Sequence, residues 1–290
     1  MRSKIFMPGD SPNELRGMLE TGADTVSIDL EDTVTPDRKD FARHSTRDLL
    51  RASSAAELRR ILVRVNTLDS GRFQNDVHAV VSPGLQCINL PKPESADDVR
   101  SACEVISACE REQGMPHGTV RLLVNIESPR GLRLVHEIAT ASDRTMGLQI
   151  GYADLLEPYR ISRRDLHAVQ HIRVQVRLAS AEAGLRTYDG VFGDVADPEF
   201  FRLETQGARA LGFSGKSCFN AEQVRIVNDV FSPTAKELSQ ANRVVAEAEK
   251  MFAQGKGIFE LDGKIVDEPF VEGARQIIAY AEEIERLRQP

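Results

Sequence analysis

Several features that mark other protein classes are scarce or missing in this sequence. It has four cysteines in 290 residues, and they form no C-x-x-C pair and have no histidine nearby at zinc-site spacing. This pattern favours free thiols over a disulfide framework or a structural zinc. No apolar stretch approaches the roughly 18 residues of a membrane helix, and the first residues lack the apolar run of a signal peptide. We therefore expect a cytoplasmic protein that does not enter the membrane.

Basic residues are also in deficit. Lys and Arg number 37 against 44 Asp and Glu, which gives a formal net charge of −7 and argues against a general nucleic-acid surface. The hydrophobic fraction of 41% and the charged fraction of 28% are ordinary for a globular protein. The composition therefore predicts a globular protein without a nucleic-acid partner. A local basic pocket for a phosphorylated ligand is compatible with it.

Short apolar runs recur along the chain, and polar segments with helix signals lie between them. The runs are Lys4–Met7, Thr25–Leu30, Ile61–Val65, Cys87–Leu90, Arg121–Ile126, Thr145–Ile150, Thr187–Phe192 and Leu211–Ser214, the last of which is weak as a strand. About eight strand–helix units in ~230 residues have the rhythm of a (β/α)8 barrel. A doubly wound open sheet is the alternative, but Met7-Pro8-Gly9-Asp10 stands where its glycine-rich phosphate loop would be. We predict an α/β TIM barrel over residues 1–231.

The rhythm changes in residues 232–290. We predict a long helix, a hairpin of two short strands and a final helix, over Ala235–Ala253, Gly257–Leu261, Lys264–Val266 and about Pro269 to Arg288. The Asp262-Gly263 pair is a hairpin-turn signal. This C-terminal extension is too small to fold as an independent domain. We therefore expect it to pack on its own barrel or on a neighbouring subunit.

The active site of a TIM barrel lies at the carboxyl ends of its strands, and here those ends are rich in carboxylates. The charged residues there include Asp29, Glu31, Asp32, Arg64, Lys92, Glu127 and Asp154. Clustered carboxylates repel one another unless a cation lies among them or their pKa values rise. A divalent ion, pairing with Arg64 and Lys92, and raised pKa values could all operate together.

Glu127 and Asp154 are the best candidates for metal ligands because they follow consecutive strands. Oxygen ligands without a Cys or His cluster favour Mg²⁺ or Mn²⁺ over Zn²⁺. Mg²⁺ is usually held by one or two carboxylates together with waters and substrate. For Arg64 and Lys92 the simpler interpretation is a salt bridge at the barrel rim.

Asp29, Glu31 and Asp32 have a structural alternative as well. They alternate along a strand end, so we expect that they do not all face the same way. Some of them would then cap the next helix or pair with Lys39 or Arg43.

A set of short motifs, in order along nearly the whole chain, carries a family resemblance. The segments are Ser27-Ile28-Asp29-Leu30-Glu31-Asp32-Thr33-Val34 with Lys39 and Ala42-Arg43, Val63-Arg64-Val65-Asn66, Leu90-Pro91-Lys92, Ile126-Glu127-Ser128-Pro129-Arg130-Gly131, Gly151-Tyr152-Ala153-Asp154-Leu155, Leu211-Gly212-Phe213-Ser214-Gly215-Lys216 and Gly263-Lys264-Ile265-Val266-Asp267. Together they resemble the citrate lyase beta-subunit-like family of the HpcH/HpaI aldolase superfamily. Its members include citryl, malyl and citramalyl thioester lyases.

The resemblance implies a TIM barrel with Mg²⁺ or Mn²⁺ on Glu127 and Asp154 and with Arg64 in contact with the reacting oxygens. It implies that Asp267 enters the active site of an adjacent subunit of a homotrimer or homohexamer. The substrate would be an acyl thioester of coenzyme A or of acyl carrier protein. The simpler alternative for Asp267 is that it caps the helix that starts near Pro269, since Asp is a favoured cap.

The sequence departs from the family pattern at two places. The family often has Ile-His-Pro-x-Gln after the Gly-Lys pair, where this chain has Phe219-Asn220-Ala221-Glu222-Gln223. Ser128-Pro129 replaces the more usual Thr-Ala after the metal glutamate. The first departure lies at the rim where a thioester arm could pass, so the choice of carrier stays open.

The predicted function is metal-dependent cleavage of a carbon–carbon bond, of the retro-aldol or Claisen type. A 3-hydroxyacyl thioester such as citramalyl-, malyl- or citryl-CoA would be split into an oxo acid and an acetyl thioester. The metal would acidify the hydroxyl group, Arg64 would stabilise negative charge on oxygen, and Asp267 would protonate the enolate carbon. The alternatives are a 2-oxo acid aldolase that uses no thioester, an enolase-type phosphoryl enzyme and a catalytically silent binding subunit.

Overall fold

Eight parallel strands form a closed barrel in a computed structural model that describes residues 1–288. Each strand pairs with its neighbours in sequence, and the eighth closes on the first. The strands are β1 (Ser3–Pro8), β2 (Thr25–Asp29), β3 (Ile61–Arg64), β4 (Cys87–Leu90), β5 (Arg121–Ile126), β6 (Thr145–Ile150), β7 (Arg186–Asp189) and β8 (Gly215–Cys218). The predicted TIM-barrel fold is confirmed.

At least one helix follows each of these strands in sequence. The helices are α1 (Leu15–Glu20), α2 (Lys39–Ala52), α3 (Ala55–Leu58), α4 (Phe73–Val80), α5 (Ala96–Glu112), α6 (Pro129–Arg133), α7 (Val135–Ala139), α8 (Tyr152–Leu156), α9 (Leu166–Glu182), α10 (Pro198–Ala210) and α11 (Ala221–Phe231). In α2 the buried face consists of Ala42, Thr46 and Leu50 with Arg43, at the spacing of one helical face. Among residues 1–288, no helix is long and apolar enough to span a bilayer.

The prediction for the eighth strand was wrong. Residues 211–214 form the turn after α10, in which Gly212 has a φ of 78°, and β8 begins only at Gly215. A prediction from apolar character fails for β8 because this strand contains a buried lysine. The Lys216 ammonium contacts Asp189 and Glu204 at 2.5 and 3.1 Å. Lys216 therefore lies within the barrel wall rather than at its rim. The seventh strand also ends earlier than predicted, at Asp189.

The barrel interior changes from apolar to polar along its axis. Leu62, Cys87, Leu123 and Tyr188 form a buried apolar cluster. Further toward the carboxyl ends, Lys4 on β1 donates a hydrogen bond of 3.2 Å to Asn89 on β4. Since β1 and β4 are not neighbours in the sheet, these side chains meet across the barrel interior. The polar layer leads to the strand ends.

The contacts within the chain divide it into two compact units, residues 1–229 and residues from Val230 onward. The second unit contains α12 (Ala235–Ala253), the antiparallel hairpin β9 (Phe259–Leu261) and β10 (Lys264–Val266), and α13 (Glu268–Arg288). Asp262 and Gly263 both have positive φ, 53° and 74°, as the two-residue hairpin turn requires. The second unit has a core of its own, which contains Val244, Ala248, Phe259, Val266 and Val271.

Candidate active site

Glu127 and Asp154 both meet Lys92 at the carboxyl ends of β4, β5 and β6. Glu127 follows β5 directly and is buried, whereas Asp154 lies in the first turn of α8 with its side chain 40% exposed. The Lys92 amide donates to Glu127 Oε1 at 2.9 Å, and its ammonium lies 3.4 Å from Asp154 Oδ1. Lys92 has a φ of 51°, in the left-handed region that non-glycine residues rarely adopt. In this conformation the Lys92 amide binds Glu127 while the Lys92 ammonium contacts Asp154.

Arg64 is fixed by a two-pronged pair with Asp29. Its Nε and Nη2 donate to the two Asp29 oxygens, each at 2.7 Å. Its Nη1 lies 2.9 Å from Glu31 and 3.2 Å from Asp32. The two Asp29 contacts and the Asp32 contact are hydrogen bonds, which use three of the five N–H bonds of a guanidinium group, and the Glu31 contact is an ion pair. Asp29 is in turn held by the Glu31 and Thr33 amides and the Thr33 hydroxyl.

The expectation that Asp29, Glu31 and Asp32 face different ways was wrong, because all three contact Arg64. Strand β2 ends at Asp29, so Glu31 and Asp32 lie in a loop to which the alternation of a strand does not apply. Lys92 also contacts these two residues, at 2.8 and 3.4 Å.

Lys39 and Arg43 are not the partners of these carboxylates. The Lys39 ammonium donates to the backbone carbonyls of Leu30 and Glu31. Arg43 forms its ion pairs with Asp40 and Asp76.

The site carries more carboxylates than it has cations to pair with. Burial raises the pKa of Glu31 to about 7 and raises that of Glu127, to which the Asp154 carboxylate adds. Burial would also raise the pKa of Asp29, but Arg64 holds it below its ordinary value. Arg64 and Lys92 therefore do not offset the burial of Glu31 and Glu127.

Glu127 and Asp154 form a donor set that suits a hard divalent cation. Glu127 is only 4% exposed, and within residues 1–288 its Oε2 accepts one long hydrogen bond, of 3.4 Å, from the Asn125 amide. A buried carboxylate oxygen with so little compensation is costly, and two carboxylates with room for water or substrate are typical of Mg²⁺ sites. The residues present therefore fit the predicted metal.

A chain of polar side chains inside the barrel ends at Glu127, and sequence reasoning missed it. Lys4 donates to Asn89, and the Asn89 amide donates to the Asn125 carbonyl oxygen at 2.7 Å. The Asn125 amide lies 3.4 Å from both Glu127 oxygens. The available signal was that Lys4, Asn89 and Asn125 each lie within an apolar run. In a closed barrel such a residue can face only the interior or the helix layer.

Two cavities meet at Glu127 and Asp154. The first, which we call the wide cavity, has a volume of about 730 Å³, and it is lined mostly by polar residues, among them Asn66, Asp69, Lys92, Glu94 and Arg130. The second, the small cavity, has a volume of about 220 Å³ and a mostly apolar lining that includes Phe6, Arg64, Ile150, Val191 and Phe219. A ligand bound at the two carboxylates could therefore extend into both.

The segment that departs from the family pattern forms the N-terminal cap of α11. The Asn220 side chain accepts from the Gln223 amide, and the Gln223 side chain accepts from the Phe219 amide, each at 2.8 Å. Asn is a favoured helix cap, so it starts the helix here. The Phe219 ring lies 6.4 Å from that of Phe6.

Asp267 belongs to the second unit and is exposed. It precedes α13, and its side chain accepts from the Phe270 amide at 3.3 Å. This is the geometry of an N-terminal helix cap. Its predicted role in the active site of an adjacent subunit stays a prediction.

Comparisons with known proteins agree with this architecture. A model of the family described as HpcH/HpaI aldolase/citrate lyase matches residues 2–221. The chain is 34% identical to citrate lyase subunit beta of Leuconostoc mesenteroides subsp. cremoris, over 97% of this chain and 93% of that protein. It is 31% identical to the L-malyl-CoA/beta-methylmalyl-CoA lyase of Rhodobacter capsulatus, over 97% and 94% of the two chains.

A solved structure is similar over the same extent. It is CitE from Mycobacterium tuberculosis in complex with magnesium, acetoacetate and coenzyme A. The TM-score is 0.77 with 28% identity, and the match covers 97% of this chain and 98% of that one.

Proposed function

Because the chain belongs to the HpcH/HpaI aldolase/citrate lyase family, we propose that it is a Mg²⁺-dependent carbon–carbon lyase. It cleaves a 3-hydroxyacyl thioester into a 2-oxo acid and an acetyl thioester. The observation that carries this proposal is the meeting of Glu127 and Asp154 at Lys92, beside Arg64, at the mouth of the barrel. Relatives named as lyases of citrate and malyl-CoA support it.

Glu127 and Asp154 would hold the metal. When bound, Mg²⁺ would supply a Lewis acid that lowers the pKa of the substrate hydroxyl group and stabilises the carbonyl that forms. The Lys92 amide fixes the orientation of the Glu127 carboxylate through its 2.9 Å hydrogen bond. Mn²⁺ suits the same oxygen ligands.

Arg64 supplies positive charge to oxygen atoms of the substrate. It borders the small cavity, and its three hydrogen bonds to Asp29 and Asp32 do not use all five of its N–H bonds. A fixed donor costs no reorganisation when negative charge develops on an oxygen, which is how such groups lower a barrier. Asp29 keeps the guanidinium plane in place.

We further propose that Asp267 protonates the enolate carbon of the acetyl thioester in the active site of an adjacent subunit. This requires a homo-oligomer, and we propose a trimer or hexamer. The thioester is carried by coenzyme A or by acyl carrier protein, and its polar arm is accommodated by the wide cavity. Four free cysteines fit the reducing cytoplasm that we propose as its location.

A thioester screen tests the function. The purified protein with Mg²⁺ is offered citramalyl-, malyl- and citryl-thioesters of both carriers, and release of 2-oxo acid is followed. Glu127→Gln and Asp154→Asn should each lose Mn²⁺ binding and activity together, while Glu199→Gln, an exposed carboxylate elsewhere on the barrel, should lose neither. Cleavage of none of these thioesters by the metal-loaded protein would refute the proposal.

A further inference from the structure

A row of hydrogen bonds inside the barrel ends at Glu127, and every bond in it points the same way. The Lys4 ammonium donates to Asn89 Oδ1 at 3.2 Å, and the Asn89 amide donates to Asn125 Oδ1 at 2.7 Å. The Asn125 amide donates to both Glu127 oxygens at 3.4 Å. All four residues are buried. We call Lys4, Asn89 and Asn125 the interior row.

The orientation of the Asn89 side chain is fixed by its neighbours. A half-turn exchanges the oxygen and the nitrogen of an amide, so the partners decide between the two orientations. Asn89 Nδ2 donates to the Leu123 carbonyl oxygen at 2.9 Å, which can only accept. This contact leaves Asn89 Oδ1 for Lys4 and the second N–H bond for Asn125. Asn89 is therefore oriented whether Lys4 is charged or neutral.

Asn89 in turn fixes the orientation of Asn125. Because Asn89 donates to Asn125 Oδ1, the Asn125 Nδ2 faces Glu127. In the opposite orientation, two NH₂ groups would face each other at Asn89, and two oxygen atoms would face each other at Glu127. Both contacts would be repulsive. The direction of the row thus follows from which groups can donate and which can accept.

The interior row acts on the carboxylate together with Lys92. The Lys92 amide donates to Glu127 Oε1 at 2.9 Å, whereas Asn125 contacts both oxygens. Hydrogen bonds that follow one another in the same direction strengthen each other in a low-dielectric interior. Lys4 and Asn89 therefore increase the attraction between the Asn125 amide and the carboxylate. Stability alone does not require such a row, since apolar groups of the same shape can replace paired polar groups at little cost.

We propose that Asn125 is a positioning residue for Glu127, and that Asn89 and Lys4 act on Glu127 through it. The inference rests on the proposed function, in which Glu127 holds the metal. The row keeps the buried carboxylate in the orientation that binds the cation, and none of its three residues is itself a proposed ligand. A weakened row should therefore reduce the affinity for a divalent cation while the barrel stays folded.

Mn²⁺ affinity, followed by electron paramagnetic resonance, tests this without requiring turnover. Asn125→Leu and Asn89→Leu keep nearly the native size, and each should bind Mn²⁺ at least ~10-fold more weakly than the wild type. Gln149→Leu is the matched control, because Gln149 is a buried amide on β6 whose side chain accepts from Ser217. It should bind Mn²⁺ as the wild type does. An equal loss in Gln149→Leu would be a general effect of disturbing the interior and would overturn the proposal.

Lys4→Met separates the interior row from a simple effect of charge. Loss of a nearby positive charge would by itself tighten the binding of a cation. The row predicts weaker Mn²⁺ binding than in the wild type. The loss should be smaller than in Asn89→Leu, because the Leu123 carbonyl still orients Asn89. Unchanged or tighter binding in Lys4→Met overturns the part of the proposal that includes Lys4.

A double variant shows whether Asn89 acts through Asn125. If it does, the protein with both leucines should bind Mn²⁺ no more weakly than Asn125→Leu alone, whereas independent effects would add. Additive losses therefore overturn the proposed order of the row. Urea unfolding without metal verifies that each variant is folded. Should a leucine variant fail to fold, alanine at the same position, which only removes atoms, takes its place with the same expected loss.

Glu127→Gln distinguishes failure of this inference from failure of the proposed function. If Glu127→Gln loses Mn²⁺ binding while Asn125→Leu and Asn89→Leu keep it, the inference alone is overturned. If Glu127→Gln keeps Mn²⁺ binding, the metal assignment fails and the inference fails with it. If the row variants lose affinity as expected but the wild-type protein cleaves no thioester, the proposed function fails while the inference stands.

Discussion

Gly151 leaves the space that the Glu127 side chain occupies. A β-carbon on residue 151 would lie 3.0 Å from Cδ of Glu127 and closer still to its Oε2 and Cβ. The φ of Gly151 is −104°, which any residue can adopt. Glycine is therefore required here for space and not for backbone conformation, and the position of a proposed metal ligand depends on it.

Gly151→Ala should fold but bind Mn²⁺ about 10–100-fold more weakly, because the Glu127 carboxylate must move aside. Mn²⁺ binding followed by electron paramagnetic resonance measures this directly. Gly17→Ala is the matched control, since residue 17 is an exposed helical position with open space around its α-carbon. Unchanged Mn²⁺ affinity in Gly151→Ala would mean that Glu127 is not a ligand in its present position.

Arg64→Lys should keep the fold and lose roughly 100-fold or more in kcat. A lysine ammonium cannot reproduce the two parallel hydrogen bonds of 2.7 Å to Asp29 while also addressing a substrate oxygen. Steady-state kinetics and circular dichroism on the same preparation separate activity from folding. Arg16→Lys, at a side chain that is 91% exposed, is the control, and near wild-type kcat in Arg64→Lys would remove Arg64 from the mechanism.

The barrel could be predicted because seven of its eight strands are apolar runs in the sequence. Strand β8 does not: Gly215-Lys216-Ser217-Cys218 has one strongly apolar residue, and its lysine is buried by ion pairs with Asp189 and Glu204. These partners lie 27 and 12 residues away in sequence. No local pattern reports such a long-range pairing.

The candidate site likewise has residues that a local pattern predicts and residues that only long-range contacts bring together. The rule that polar residues cluster at strand ends was enough to bring Arg64, Lys92, Glu127 and Asp154 to one rim. It could not find Lys4, whose partner Asn89 lies 85 residues away across the barrel. Cross-barrel contacts depend on how the strands are staggered on closure, and local periodicity does not encode that stagger.

Lys4 gives the stability of the protein a specific dependence on pH. Burial, with the nearby Arg64 charge, lowers the pKa of Lys4 from 10.5 to about 7. Between these values the unfolded chain binds a proton that the folded protein does not, so the free energy of unfolding rises with pH across this window. Below pH 7 both states are protonated and the cost of the buried charge is fully present.

Lys4→Met should therefore change the slope of stability against pH. The free energy of unfolding of the variant minus that of the wild type should fall by roughly 2–3 kcal/mol between pH 7 and pH 9. Urea unfolding without divalent metal measures it, with Lys256→Met, at an exposed lysine, as the control. A difference that is constant from pH 7 to pH 9 would show that Lys4 is charged throughout.

Asp267 has two candidate roles, helix cap and proton donor, and a single substitution can distinguish them. As a helix cap it accepts a hydrogen bond of 3.3 Å from the Phe270 amide, and Asn caps a helix about as well as Asp. Asp267→Asn should therefore leave the free energy of unfolding and Mn²⁺ binding unchanged. If the carboxyl group also moves a proton, kcat should fall by roughly 10²–10⁴-fold. Wild-type kcat would limit Asp267 to capping.

Mixing inactive variants tests whether the site is shared between subunits. Asp267→Asn protomers retain Arg64 and the metal ligands, and Arg64→Ala protomers retain Asp267. If Asp267 acts in an adjacent subunit, a hybrid oligomer contains some sites in which Arg64 and Asp267 are both intact, so activity should reappear on mixing. If Asp267 acts within its own subunit, every site in the hybrid lacks one of the two residues and the mixture stays inactive. Subunit exchange must be verified in parallel, by mass spectrometry of differently tagged protomers, and no recovery after verified exchange would refute the shared site.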